Sequence, residues 1–121
     1  MNNPEKYLIL FPDGSMRWIY TSHENISAAF REAIGCELLE NVRLPFGFCC
    51  VVDEEGKVKQ EPQPVNPLAS CFYPGSFHGD PLVGPVVFCR IGLYQGEPDW
   101  VPLEDHDLLI IELVTGKTVP R

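Results

Sequence analysis

The stretch "FCCVVDEEGKVK", residues 48–59, decides the fold of this chain, because it reads either as a chemical site or as a strand entering a turn. Thiols and carboxylates crowded into a dozen positions would suit a metal. In an extended chain, however, successive side chains point to opposite faces. Phe46, Phe48, Cys50 and Val52 then share one face, and Gly47, Cys49 and Val51 the other. Cys49 and Cys50 therefore cannot converge on one ion. Both faces are apolar, the signature of a central strand covered on both sides. Asp53-Glu54-Glu55-Gly56 reads as a hairpin connection with glycine in the left-handed position, followed by a short return strand "KVK" (57–59). A calcium loop needs alternating oxygen ligands and a distant bidentate glutamate, and nothing after Gly56 supplies them.

Working outward, "YLILF" (7–11) and "MRWIY" (16–20) flank "PDGS", and the aromatic and β-branched runs around Pro12-Asp13-Gly14 predict a β-hairpin. In "TSHENISAAFREAIG", Thr21 and Glu24 have capping-box spacing, and Ile26, Ala29, Phe30, Ala33 and Ile34 form a helical stripe ending at Gly35. A helix over 22–34 is expected. "CELLENVRL" (36–44) reads as a strand, separated by Pro45 from the central one. "LVGPVVFCRIG" (82–92) reads as a buried strand with an irregularity at Gly84-Pro85, since proline cannot donate to a ladder. "LYQGEPDWVPL" reads as a turn-laden connection. "EDHDLLIIELV" (104–114) reads as a helix with acids in its first turns and Gly116 as its stop, although Ile110 and Ile111 also suit a strand.

These elements predict a single α+β domain over residues 1–121: a small, mostly antiparallel sheet of about five strands, one helix after the first hairpin and a C-terminal helix. The length, 121 residues, suits one core. Hydrophobic residues at 45% and charged residues at 21% are globular values. With 17 Asp+Glu against 9 Lys+Arg, the net charge of -8 disfavours direct nucleic-acid binding and attraction to anionic membranes. The apolar runs are too short for a signal h-region or a membrane span. Five cysteines without regular spacing agree with a reducing compartment, so a cytoplasmic location is expected.

Chemistry is hard to assemble from these residues. Zinc from Cys71 and His78 with Cys89 or His106 lacks the paired spacings of structural sites. Ser70, Ser76 or Cys71 with His78 and Asp80 has the residue types of a small hydrolase, but "YPGSFHGD" is no nucleophile elbow. No phosphate-cradling glycine cluster occurs. No metal and no cofactor is therefore expected.

Binding is the better reading. The segment from Gln60 to Gly92 holds six of the chain's 12 prolines and only three formal charges, Glu61, Asp80 and Arg90. Within it the 66–81 loop concentrates Asn66, Phe72, Tyr73, Phe77, His78 and Asp80, and Asn66, Tyr73, Phe77, His78 and Asp80 are the candidate contacts for a host protein or a small ligand. A second candidate is an acidic face of Glu97, Asp99, Glu104, Asp105 and Asp107, with Glu112, which could mimic DNA phosphates as an anti-restriction inhibitor does.

Several features recur together: the N-terminal hairpin and helix, the strand into "VVDEEGKVK", the segment with Pro64, Asn66, Leu68 and Ala69, then "DPLVGPVVF", and an acidic C-terminal helix after "DWVPL". Over roughly residues 7–114 the combination resembles a family of small proteins catalogued only as a domain of unknown function, found in phages, plasmids and Firmicute-type hosts. The resemblance implies an accessory protein of mobile elements and gives no residue a role. The Pro/aromatic insertion around Phe72 to His78 departs from the family's shorter loops.

Overall fold

A computed structural model describes residues 4–120. The chain opens with β1 (Glu5–Leu10) and β2 (Met16–Thr21), an antiparallel hairpin with Leu10 opposite Met16. Its turn closes where Gly14, at φ +88°, donates its N–H to Phe11 O, and Asp13 accepts from the Ser15 N–H and hydroxyl. A 3-10 turn at His23–Asn25 leads into α1 (Ile26–Ile34), which ends at left-handed Gly35. The expected capping box does not form. Thr21 is held in the sheet opposite Glu5, and its hydroxyl bonds Ser22 O instead of capping the helix.

β3 (Leu39–Arg43) and β4 (Phe48–Asp53) follow, joined by a 3-10 turn at Pro45–Gly47. β4 is buried along its whole length and lies between β3 and β5, the central position read from its two apolar faces. No return strand follows it. Residues 54–59 run through successive turns, and Gly56 is not left-handed. Both edges of β4 already carry partners, so "KVK" has no ladder to join.

The chain instead leaves the sheet for 32 residues (54–85), which include α2 (Pro67–Ser70) and a 3-10 turn at Pro74–His78. It returns as β5 (Val86–Tyr94), immediately after left-handed Gly84 and Pro85. β5 pairs with β1, β4 and β6 (Glu97–Val101). The expected loop after β5 is thus a hairpin: Gln95 and Gly96, both at positive φ, make a two-residue connection between Tyr94 and Glu97. Pro98 is tolerated because β6 has no second partner. Helix α3 (Asp105–Thr115) then ends at left-handed Gly116.

The fold is α+β, a six-stranded antiparallel sheet with main order β2-β1-β5-β4-β3 and both faces covered. On one face Tyr7, Ile9, Cys49, Val51, Val87 and Cys89 pack against Ile26, Phe30 and Ile34 of α1. On the other, Leu8, Leu10, Phe48, Cys50, Val52, Val86 and Phe88 meet Ala69, Phe72 and Leu82 of the long excursion, Ile111 of α3, and Val119. The proline-rich segment is therefore a lid on the second face. Among the described residues no helix is long and apolar enough to cross a membrane.

Candidate functional site

The 66–81 loop is fixed from its base. Asn66 is completely buried; its side-chain N–H groups donate to Leu10 O and Gly84 O at 2.9 Å, and its Oδ1 accepts from Ala69 N as the cap of α2. Ser70 donates to Asn66 O at 2.7 Å and accepts from Leu82 N at 3.0 Å. Further along, Ser76 donates to Ser70 O and Tyr73 O. Asn66 is thus a structural tie and not a contact open to a ligand. The same donors and acceptor that would suit a ligand satisfy three backbone groups, which buried amides require.

The aromatics of the loop part company. Phe72 is 3% exposed and meets Phe48 and Phe88 edge-on. Phe77 is 81% exposed, and His78 beside it is exposed as well. Tyr73 lies between these extremes: its hydroxyl donates to Asp80 Oδ2, and Asp80 Oδ1 is in turn paired with Lys57 Nζ. The Lys57 hydrogen bond and charge hold the Asp80 carboxyl below its ordinary range, while partial burial and the Asp80 charge push the Tyr73 phenol up. Tyr73 and Asp80 help to line a cleft of about 110 Å³ that also takes in Glu40, Val42, Asp53, Glu54 and Leu82. Lys57, Glu40 and Glu54 carry no signal in the sequence for this role, since only the pairing of β3 with β4 and the turn after Asp53 bring them here.

Phe77 and His78 stand apart from that cleft. Among the described residues no hydrogen bond or ion pair joins His78 to Asp80, Ser70, Ser76 or Cys71. Asp80 is engaged by Lys57 and Tyr73, Ser76 is spent on backbone carbonyls, and Cys71 donates to Pro67 O. A catalytic triad would need these groups aligned.

The acidic stretch is also divided. Asp107 is completely buried, and its carboxylate accepts from Arg90 Nε at 2.5 Å and Arg90 Nη2 at 2.7 Å, and from Glu104 N at 2.8 Å. Burial opposes the charge, but the Arg90 and Glu104 hydrogen bonds outweigh it and hold the carboxyl below its usual range. Asp99 bonds His23 Nε2 at 2.8 Å, and the His23 ring stacks on Tyr94 with centroids 3.5 Å apart. Only Glu97, Glu104 and Asp105 of the five predicted acids are exposed. The absence of cations between Arg90 and Lys117 in sequence hid the fact that Arg90 folds onto this helix.

Among the described residues, one group of three His, Cys, Asp or Glu side chains has ligand atoms within 4.8 Å of one another: Glu104, His106 and Asp107. Both oxygens of Asp107 are already committed to Arg90 and Glu104, so the trio is poorly suited to an ion. Cys49 and Cys50 do point to opposite faces. What the sequence did not disclose is the register that sets Cys49 opposite Cys89, with sulfurs 3.3 Å apart inside the core. Hydrogen bonding to Cys49 and burial push the Cys89 thiol up, while the same hydrogen bond pulls the Cys49 thiol down.

Residues 6–114 match the model of a family described as Domain of unknown function (DUF3846). The chain belongs to this family. The matched DUF3846 region takes in β1 from Lys6, the other five strands, the whole 66–81 loop and α3 up to Val114, whereas Val119, which completes the lidded core, follows it. No curated protein and no solved structure matches the chain.

Proposed function

We propose that this DUF3846 domain is a non-enzymatic protein-binding module, in which Phe77 and His78 make the contact and Tyr73 and Asp80 hold the loop in shape. The likeness to proteins of phages and plasmids suggests its setting, an accessory protein of a mobile element acting on a host protein in the cytoplasm. One observation carries the reading: an aromatic ring 81% exposed on a loop whose base is tied into the core through a buried asparagine. Aromatic anchors dominate interface energetics, and a loop already ordered loses little freedom on binding. The neighbouring cleft, about 110 Å³, is well below the roughly 300–1,000 Å³ of drug-sized ligand sites. Its size favours a protein surface over a small ligand as the occupant.

The experiment is capture from a host extract by the tagged chain, with a photo-crosslinking amino acid at position 77. Wild type should retain a partner that crosslinks from that position, and Phe77→Ala should lose it while melting within about 2 °C of wild type, as exposed substitutions do. Phe72→Ala should instead cost about 3–5 kcal/mol, because its ring fills the core. Unchanged retention by Phe77→Ala, or a large loss of its stability, would sink the proposal.

A further inference from the structure

Cys49 of β4 and Cys89 of β5 are directly opposed across an antiparallel ladder, both buried, with sulfurs 3.3 Å apart. Directly opposed residues on such strands have Cα atoms about 4.5 or 5.5 Å apart, according to their place in the hydrogen-bonding pattern. Both values fall within the roughly 4.4–6.8 Å that a disulfide spans. Bringing the sulfurs to the bonded distance of about 2.05 Å is then a side-chain movement of about 1 Å, with the register of β4 and β5 unchanged. All five cysteines are free thiols, and among the described residues no other two cysteine sulfurs are within hydrogen-bonding reach. Cys50 faces the lidded core on the far side of the sheet, and Cys71 lies on the lid itself. The strand register therefore singles out one pair.

We propose that Cys49 and Cys89 form a reversible disulfide, a redox clasp that ties β4 to β5 and closes residues 50–88 into a covalent ring. That ring contains the whole crossing from β4 to β5, the lid and the 66–81 loop included. The co-reactant is a small-molecule disulfide such as oxidised glutathione. The packed core excludes it, so the first attack takes place in the opened chain. There one of the two thiolates attacks a sulfur of the reagent. A protein–reagent S–S bond forms, the reagent's own S–S bond breaks, and one small thiolate leaves with the electron pair and takes up a proton. As β4 and β5 pair, the second cysteine comes opposite the first. Its thiol loses a proton to solvent, its sulfur attacks the first cysteine's sulfur, and the second small thiol departs. Two protein thiols are oxidised and one small disulfide is reduced, a two-electron exchange that runs backward in excess small thiol. In a reducing medium the pair stays open, as two small apolar side chains of the core.

The test unfolds the intact reduced chain in urea and refolds it in a buffer of oxidised and reduced glutathione. Remaining thiols are alkylated, and the unreduced peptides are mapped by mass spectrometry. The cross-link between Cys49 and Cys89 should be the main intramolecular disulfide of all the pairings that five cysteines allow. The oxidised chain should melt roughly 8–15 °C above the reduced one, the shift expected for closing a ring of this size in a domain of this length. Excess dithiothreitol in urea, followed by refolding, should return the lower value. Cys49→Ala should lose both the cross-link and the higher Tm, and Cys71→Ser should keep both. Phe77→Ala should form the same cross-link, which separates the clasp from the contact made by the 66–81 loop. A different main cross-link in the refolded wild type, no intramolecular cross-link, or a cross-linked chain that melts no higher than the reduced one would overturn the proposal. The wild-type map decides this even where a core variant does not fold.

Discussion

Replacing Arg90 by methionine should destabilise the protein in a manner that depends on pH. Asp107 has no side-chain exposure, and Arg90, 25% exposed, supplies two of the three hydrogen bonds to its carboxylate. Methionine keeps much of the stem but removes the guanidinium that lies over Phe48, and it leaves a buried charge with one backbone N–H. Removing one partner of a buried pair costs about 3–5 kcal/mol. With an unfolding entropy of about 2.1 cal/mol/K per residue, each kcal/mol lowers Tm by roughly 4 °C here, so the variant should melt roughly 12–20 °C lower at pH 7. In the native protein the Asp107 pKa is depressed. Its stabilisation is complete above the unfolded value of about 3.9 and is lost as pH falls through the lower folded value. In the variant, burial acts without the arginine and raises that pKa, so the carboxyl can protonate in the folded state as pH falls from 7. The gap between variant and wild type should therefore be widest at pH 7 and narrow toward pH 4. Thermal unfolding followed by circular dichroism across that range gives both numbers, and Arg90→Met/Asp107→Leu should recover most of the loss. A loss below about 1 kcal/mol at pH 7, or a gap that does not narrow on acidification, would refute the reasoning.

Two further predictions concern the core. Asn66→Ala should lower stability by about 2–4 kcal/mol in urea unfolding, since it strands the carbonyls of Leu10 and Gly84 and uncaps α2. A loss under about 1 kcal/mol would show that the 66–81 loop is not anchored through this residue. Thiol titration of the native protein should modify exposed Cys71 fastest and half-buried Cys36 more slowly, with Cys49, Cys50 and Cys89 reacting only on unfolding. Rapid reaction of a third thiol in the folded state would contradict the double-sided burial of β4.

Local signals in the sequence carried over well, and signals that depend on partners did not. The stripe of Ile26, Phe30 and Ile34 with Gly35 behind it specifies α1 by itself, and around α3 the acids and Gly116 pointed to a helix where Ile110 and Ile111 also suited a strand. The two-faced apolar run Phe48–Val52 likewise demanded a central strand. The strand at 57–59 failed for a reason no local pattern contains: β3 and β5 had taken both edges of β4. β6 was overlooked because Pro98 and the Gln95-Gly96 turn read as breakers, although an edge strand tolerates the first and a two-residue hairpin needs the second.

The candidate loop shows why composition alone does not sort the residues of such a segment. A charge-poor stretch rich in proline, aromatics and small polar groups suits two jobs, covering an open sheet face and presenting a contact surface, and this loop does the first along most of its length. The long crossing from β4 to β5 must cover Leu8, Leu10, Cys50 and Phe88, and Phe72 and Ala69 are turned inward for that purpose. A crossing over a core also buries its own backbone, so Asn66 and Ser70 are drawn in to satisfy the carbonyls and N–H groups this exposes. Of the loop's aromatic rings, those that remain outside after both demands are met are Phe77 and His78. The packing of the lid does not account for an apolar ring left in water at the end of so constrained a loop, and a partner's surface would.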